Sequence, residues 1–309
     1  MVLVANSSPK DSFISADKLR TRLLFIAVLG GGCMSQEEYF KFAQVLAHDL
    51  NGGDIKLPSF PDVVMRVRKA LDNPDTTGQD LATVLGVDAV LAARVLILAN
   101  STYYNPGGIK IEGLEAAVGR IGFEKVRTAA ISYAVEQLHA SEGLEPLKAE
   151  LRATWSAGMR LAAMSEVIAR HCSELDVDSA FIAGLLHHIG VLYIFTKYKE
   201  YPALIQDADA RQNLIDEWAA PIGESIVAAW EFSEEIQATL NPDEVETTRR
   251  RVQANLADIV TTAKMSLNGE GPQLHESAEA IRLQLTDEKM PTIMESYQEK
   301  LDSLASAVR

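Results

Sequence analysis

No stretch of this 309-residue chain sustains the period-two alternation of a half-buried strand, while apolar residues recur three and four apart almost throughout. Such a pattern can bury its apolar side chains only as helices packed by one face, so the chain is expected to be all-α, a multi-helix bundle. Residues 34–50 carry Phe40, Ala43, Val45, Leu46 and Leu50 near helical spacing and end in Asn51-Gly52-Gly53-Asp54. Leu57-Pro58-Ser59-Phe60-Pro61-Asp62 opens a second helix, because proline suits the first turn and Asp62 complements the helix dipole. Its stripe is Val63, Val67, Ala70 and Leu71, and Asn73-Pro74-Asp75 stops it. Thr77 with Asp80 reads as a capping box, Gly86 breaks that helix, and Asp88 caps the next, which carries Leu91, Val95 and Leu98. Two helices split near Gly122 fill Leu114 to Leu138, and a long one runs from Leu151 to Cys172. Another starts at Asp178 and is expected to run unbroken through Phe181, Leu185, Ile189 and Leu192. Shorter helices are expected at about 203–212, 221–230 and 233–240, with longer ones at about 246–267 and 288–307.

The formal net charge is -14, so phosphate backbones repel the chain unless its basic residues gather on one face. The best cluster, Arg249-Arg250-Arg251, is flanked by Glu244 and Glu246 and reads as a solvated helix face, so no nucleic-acid partner is expected. The helix–Gly–helix pair around Gly86 imitates a DNA-binding helix-turn-helix. Its second helix, Ala89 to Leu98, holds one Arg and is apolar nearly all round, which suits a buried core helix better than base readout. Hydrophobic residues make up 47%, an ordinary value that indicates neither a membrane bundle nor wholesale disorder. The two cysteines, Cys33 and Cys172, form no motif, which fits a reducing compartment rather than a disulfide scaffold or structural zinc. Cys172 follows His171, but neighbours on a helix diverge, and a reactive thiol needs an electropositive pocket.

Lys18, Arg20 and Arg22 ahead of the apolar run Leu23–Leu29 and Gly30-Gly31-Gly32-Cys33 outline a secretory or lipoprotein signal. The run is short, Gly30 stands where such a signal usually has Leu, and the segment is far too short to span a bilayer. The glycines also lack the Lys-Ser/Thr of a phosphate cradle. Met34-Ser35-Gln36-Glu37-Glu38-Tyr39 offers an alternative start, and a cytoplasmic chain with residues 1–33 as an upstream extension or loose arm is the expectation.

Three segments together resemble the HDOD family, a branch of the HD phosphohydrolase superfamily. They are Leu57-Pro58-Ser59-Phe60-Pro61 with Asp72-Asn73-Pro74-Asp75; Ala89 through Arg94 to Asn100-Ser101 with Tyr103-Tyr104; and Ile111 to Val118 into Ile121-Gly122-Phe123, followed by Phe181 to Gly190 with Gly184 between. Order and spacing match over roughly residues 50–265. The resemblance implies an HD-like helical bundle with an N-terminal helical part; the polar, Gly- and Pro-containing stretch Glu142 to Pro146 makes the internal boundary, for a division into 1–50, 51–145 and 146–309. It also implies a metal site of a His, a His-Asp pair and a later Asp, where bound metal activates water. The His-Asp pair falls on His187 and His188; the upstream His, two after a Trp, falls on Ala157 after Trp155; the later Asp falls on Asp258. A further His cluster would fall near Asn241-Pro242 and is absent. Since neighbours on a helix point about 100° apart, His187 and His188 are not expected to share a site. The expectations are therefore no catalytic residue, no metal and no cofactor. The chain would be a bacterial signal-transduction module acting through another signalling protein, with no membrane partner. The alternative is a degenerate metal-dependent phosphohydrolase acting on a nucleotide or cyclic dinucleotide.

Overall fold

The computed structural model describes residues 36–52, 62–139, 145–201, 206–230, 232–241, 253–269, 274 and 276–308. The arm at 1–33, residues 57–61 with Pro58 and Pro61, and Arg249 to Arg251 lie outside them. Among the described residues the regular structure is helical, with no strand. In chain order it runs α1 (Gln36–Gly52), α2 (Asp62–Leu71), α3 (Gly78–Leu85), α4 (Ala89–Ala99), α5 (Leu114–Ile121), α6 (Phe123–His139) and α7 (Lys148–Cys172). It continues with α8 (Val177–Leu186), α9 (Ile189–Lys197), α10 (Ala208–Ala229), α11 (Glu234–Gln237), α12 (Leu256–Asn268), α13 (Ala278–Arg282) and α14 (Met290–Val308).

Local chemistry sets several boundaries as expected. Thr77 Oγ1 accepts the Asp80 N–H at 3.2 Å and Asp80 Oδ2 accepts the Thr77 N–H at 3.0 Å, a complete capping box on α3. Asp88 Oδ1 accepts the Val90 and Leu91 N–H groups, both at 2.9 Å, and starts α4. Gly122 turns the chain from α5 into α6 at φ +85°, a region open to glycine. Three expectations need correction. In α1 the core residue is Phe42, fully buried, whereas Phe40 is 44% exposed, so the apolar stripe is Phe42, Ala43, Leu46 and Leu50. Residues 208–229 form one helix through Pro221 rather than two, because Leu214, Trp218, Ile222 and Ile226 stay buried at four-residue spacing on both sides of the proline. The helix expected from Asp178 is broken, with His187 and His188 as turn residues between α8 and α9.

The buried side chains fall into two clusters. A larger core gathers α1 and α7 onward, and a smaller one gathers α2 to α6. Helix α6 serves both: Ile131 and Val135 belong to the larger, while Val126, Ala130, Tyr133 and Ala134 belong to the smaller. Helix α14 packs on α7 and reaches back to α4. Helix α4 buries Leu91, Val95 and Ala99 completely, yet Val90 and Ile97 on its outer face are 49% and 45% exposed. Its apolar character is thus core on one side only. Val177–Lys197 is the one stretch among the described residues long and apolar enough to cross a bilayer, and 72% of its apolar window is buried within the fold.

A charged group threads the larger core. Glu166 on α7, 1% exposed, pairs with Lys300 at 2.6 Å, Arg170 at 2.7 Å and Lys125 at 3.4 Å. Lys125 also pairs with Asp178. Burial alone would raise the Glu166 pKa, but the Lys300 and Lys125 charges outweigh it and hold the carboxyl below its usual range.

Candidate functional site

The positions that carry the family resemblance hold the backbone together. Arg94 reaches from α4 to Glu136 on α6 and lies over the Tyr133 ring, 5.2 Å from its centroid. Asn100 Nδ2 donates to the Ile111 carbonyl at 2.7 Å, and its Oδ1 accepts the Ile111 N–H at 2.8 Å. One side chain thereby pairs with a remote main chain as a strand neighbour would. Ser101 Oγ donates to the Leu98 carbonyl at 2.7 Å and closes the end of α4. Gly184 and Gly190 mark close approaches. A Cβ on Gly184 would lie 2.7 Å from Ala162 Cα, and one on Gly190 would lie 1.9 Å from the Ala219 carbonyl oxygen. Helices α8 and α9 can meet α7 and α10 there only without a side chain.

The four positions that correspond to metal ligands are differently furnished. Ala157 on α7 has no donor atom. The His188 ring lies beside Gly158, the next residue. His187 and His188 sit at the break between α8 and α9, not within one helix, and their rings are 5.4 Å apart and 79° to one another. The expectation that they point apart rested on rotation within one helix, and the turn removes that premise, leaving the two rings in edge-to-face contact. Burial, then the charges of Lys264 and His188, holds the His187 pKa well below its ordinary 6.5 against a hydrogen bond to the Thr239 main chain. The ring is neutral, and its Nδ1 is buried without a hydrogen-bond partner among the described residues.

Asp258, 1% exposed, is the third residue of α12 and closes a capping box by accepting the Asn255 N–H at 2.9 Å. Its other oxygen accepts from Arg282 on α13 at 2.5 Å, with that guanidinium side chain only 6% exposed. A buried carboxylate needs a compensating cation, and Arg282 is that cation. Among the described residues no three His, Cys, Asp or Glu side chains group as a metal site. With Ala157 mute and Asp258 neutralised by an arginine, the residues present do not fit the metal that the resemblance implies. Cys172 is unremarkable as a nucleophile: burial pushes its thiol up, and the preceding His171 turns to Ser296 Oγ at 3.0 Å.

A concave feature lies elsewhere among the described residues. A cavity of about 270 Å³ opens where α2, α6 and α8 meet Trp230, Phe232, Ser233 and Ile236. Val64, Val67 and Ala130 of the smaller core and Ile131, Ile182 and Ile236 of the larger one supply apolar walls. Arg68 and Arg127 supply cations, with Asp72 and Glu124 beside them. None of Ala157, His187, His188 and Asp258 lines it. The sequence reading missed this site because its parts come from four separate elements; the only trace was a pair of arginines on two otherwise amphipathic helices.

The HDOD domain family model matches residues 57–244. A curated relative from Treponema pallidum (strain Nichols), described only as uncharacterized, is 23% identical over 195 residues, or 60% of this chain. The chain spans 37% of the length of that relative. Among solved structures, a candidate metal-dependent phosphohydrolase from Shewanella amazonensis SB2B aligns with TM-score 0.71 and 24% identity, covering 87% of this chain and 99% of its own. An HDOD domain protein of unknown function from Geobacter sulfurreducens aligns with TM-score 0.59 and 21% identity, covering 84% and 97%. A candidate signal transduction protein from Marinobacter aquaeolei VT8 gives 0.53 and 19%, covering 93% and 64%. At these identities the likeness is one of fold.

Proposed function

Because the chain belongs to the HDOD family, we propose that it serves as a non-enzymatic signal-transduction module that acts by contact with another signalling protein. The observation that carries this reading is the Asp258–Arg282 pair, which puts a guanidinium against the one buried carboxylate that corresponds to a metal ligand. Ala157 at a second ligand position supports it. With one imidazole and one engaged carboxylate, a hard divalent ion has too few ligands and too little negative charge. Val90 and Ile97, exposed seven residues apart on α4, supply apolar surface of the kind protein contacts use.

Elemental analysis of untagged protein, with assays on cyclic dinucleotides and bis(p-nitrophenyl) phosphate, tests the reading. The expected result is metal far below one equivalent and no turnover above buffer. A near-stoichiometric transition metal, lost together with hydrolysis in His187→Ala, would overturn it. The second reading, a degenerate phosphohydrolase acting on a nucleotide or cyclic dinucleotide, draws on the buried His187 Nδ1, which has no hydrogen-bond partner among the described residues, and on the name given to the Shewanella protein. It requires Asp258 to leave Arg282.

A further inference from the structure

From the cavity between the two cores we infer a binding site for a small monocarboxylate with an aromatic or branched apolar body. Three observations converge on that class. The first is size: about 270 Å³ lies just under the roughly 300–1,000 Å³ of pockets for drug-sized ligands, which admits a single ring or short branched chain and excludes a dinucleotide. The second is the lining. Val64, Val67, Ala130, Ile131, Ile182 and Ile236 are apolar, and Trp230 and Phe232 add aromatic faces.

The third is the disposition of charge. Arg68 and Arg127 both line the cavity, and a guanidinium fork matches a planar carboxylate. Arg127 Nη1 is 3.9 Å from the Asp72 carboxylate, which is 55% exposed. Arg127 Nε lies 3.2 Å from Glu124, itself 57% exposed, yet that buried nitrogen makes no directed hydrogen bond among the described residues. Pairs with carboxylates this exposed contribute little, so a ligand carboxylate that excludes water can displace Asp72 and Glu124 from Arg127 at small cost. The Arg68 Nη1 hydrogen bond to the Trp230 carbonyl keeps the first guanidinium at the wall. Ser179 and Ser233 offer hydroxyls. A dianion is disfavoured relative to a monoanion, because Asp72 and Glu124 line the same cavity and the chain carries a net charge of -14.

The site is separate from the positions that correspond to metal ligands, and a ligand in it would touch both cores at once. It therefore bears on the relative arrangement of the two halves, as an input to a signalling module should. The reading stands or falls independently of whether the chain is an enzyme.

The test titrates the full chain with benzoate, benzamide and phenyl phosphate, followed by two-dimensional NMR of the three indole N–H signals. Benzoate should shift the Trp230 signal while leaving those of Trp155 and Trp218 in place. Benzamide and phenyl phosphate should each bind at least tenfold more weakly. Arg127→Gln should weaken benzoate at least tenfold, and Arg68→Gln gives a second variant should the first fold poorly. Equal binding of benzamide would overturn the role of the arginines. Tighter binding of phenyl phosphate would overturn the carboxylate class. An unmoved Trp230 signal at saturating benzoate would overturn the site.

Discussion

His187 presents a neutral imidazole at the turn between α8 and α9, kept unprotonated chiefly by burial and next by the charges of Lys264 and His188. In the unfolded chain the ring titrates near 6.5, and in the folded chain well below it. Below pH 6.5 the unfolded state therefore binds a proton that the folded state does not. Stability is intact above that pH and falls as pH drops through it, by up to about 1.4 kcal/mol per pH unit. Urea unfolding of wild type and His187→Gln between pH 7.5 and 5 checks this; parallel pH dependences would show that His187 does not titrate as described. The position of His187 was legible from the resemblance, but its surroundings were not. Thr239 and Lys264, which act on its ring in opposite senses, lie far along the chain, and so does Arg282, the partner of Asp258. Sequence spacing can nominate a ligand position; only tertiary contact reveals that an arginine pairs with Asp258 there.

Helix caps and stripes depend on residues three or four apart, and for that reason α3, α4, α5 and α6 were legible almost to their ends. The departures arose where packing outweighed local preference. Separate helices were expected at about 203–212 and 221–230, yet the buried row of Leu214, Trp218, Ile222 and Ile226 carries α10 from 208 to 229 through Pro221. The same principle separates two glycines that look alike in sequence. A Cβ at Gly190 would meet the Ala219 carbonyl oxygen at 1.9 Å, so Gly190→Ala must push α9 off α10, and the expected loss is about 3 kcal/mol. A Cβ at Gly119 on α5 meets nothing within 4 Å, so Gly119→Ala should stabilise by about 0.5–1 kcal/mol through helix propensity. The urea midpoints of the two variants should move in opposite directions, and a shared direction would contradict the close-approach account of Gly190.

The all-helical class was legible for the whole molecule because it follows from periodicity alone, whereas the grouping of helices into cores was not. Helix α1 precedes the smaller cluster in sequence but packs with the larger, where Phe42 meets Tyr201 at 4.9 Å and Tyr198 at 5.5 Å between ring centroids. Nothing local in α1 specifies a partner so distant in the chain. The sharing of α6 by both clusters has a thermodynamic consequence. Neither half can melt without stripping one side of that helix, which would leave Ile131 and Val135, or Val126 and Ala134, facing water. The two cores should thus behave as one cooperative unit rather than as two foldons. Native-state hydrogen exchange should give the α6 amides the same opening free energy as the most protected amides of α7 and of α4, all equal to the global unfolding value. A distinctly lower plateau for α4 would show that the smaller core opens by itself.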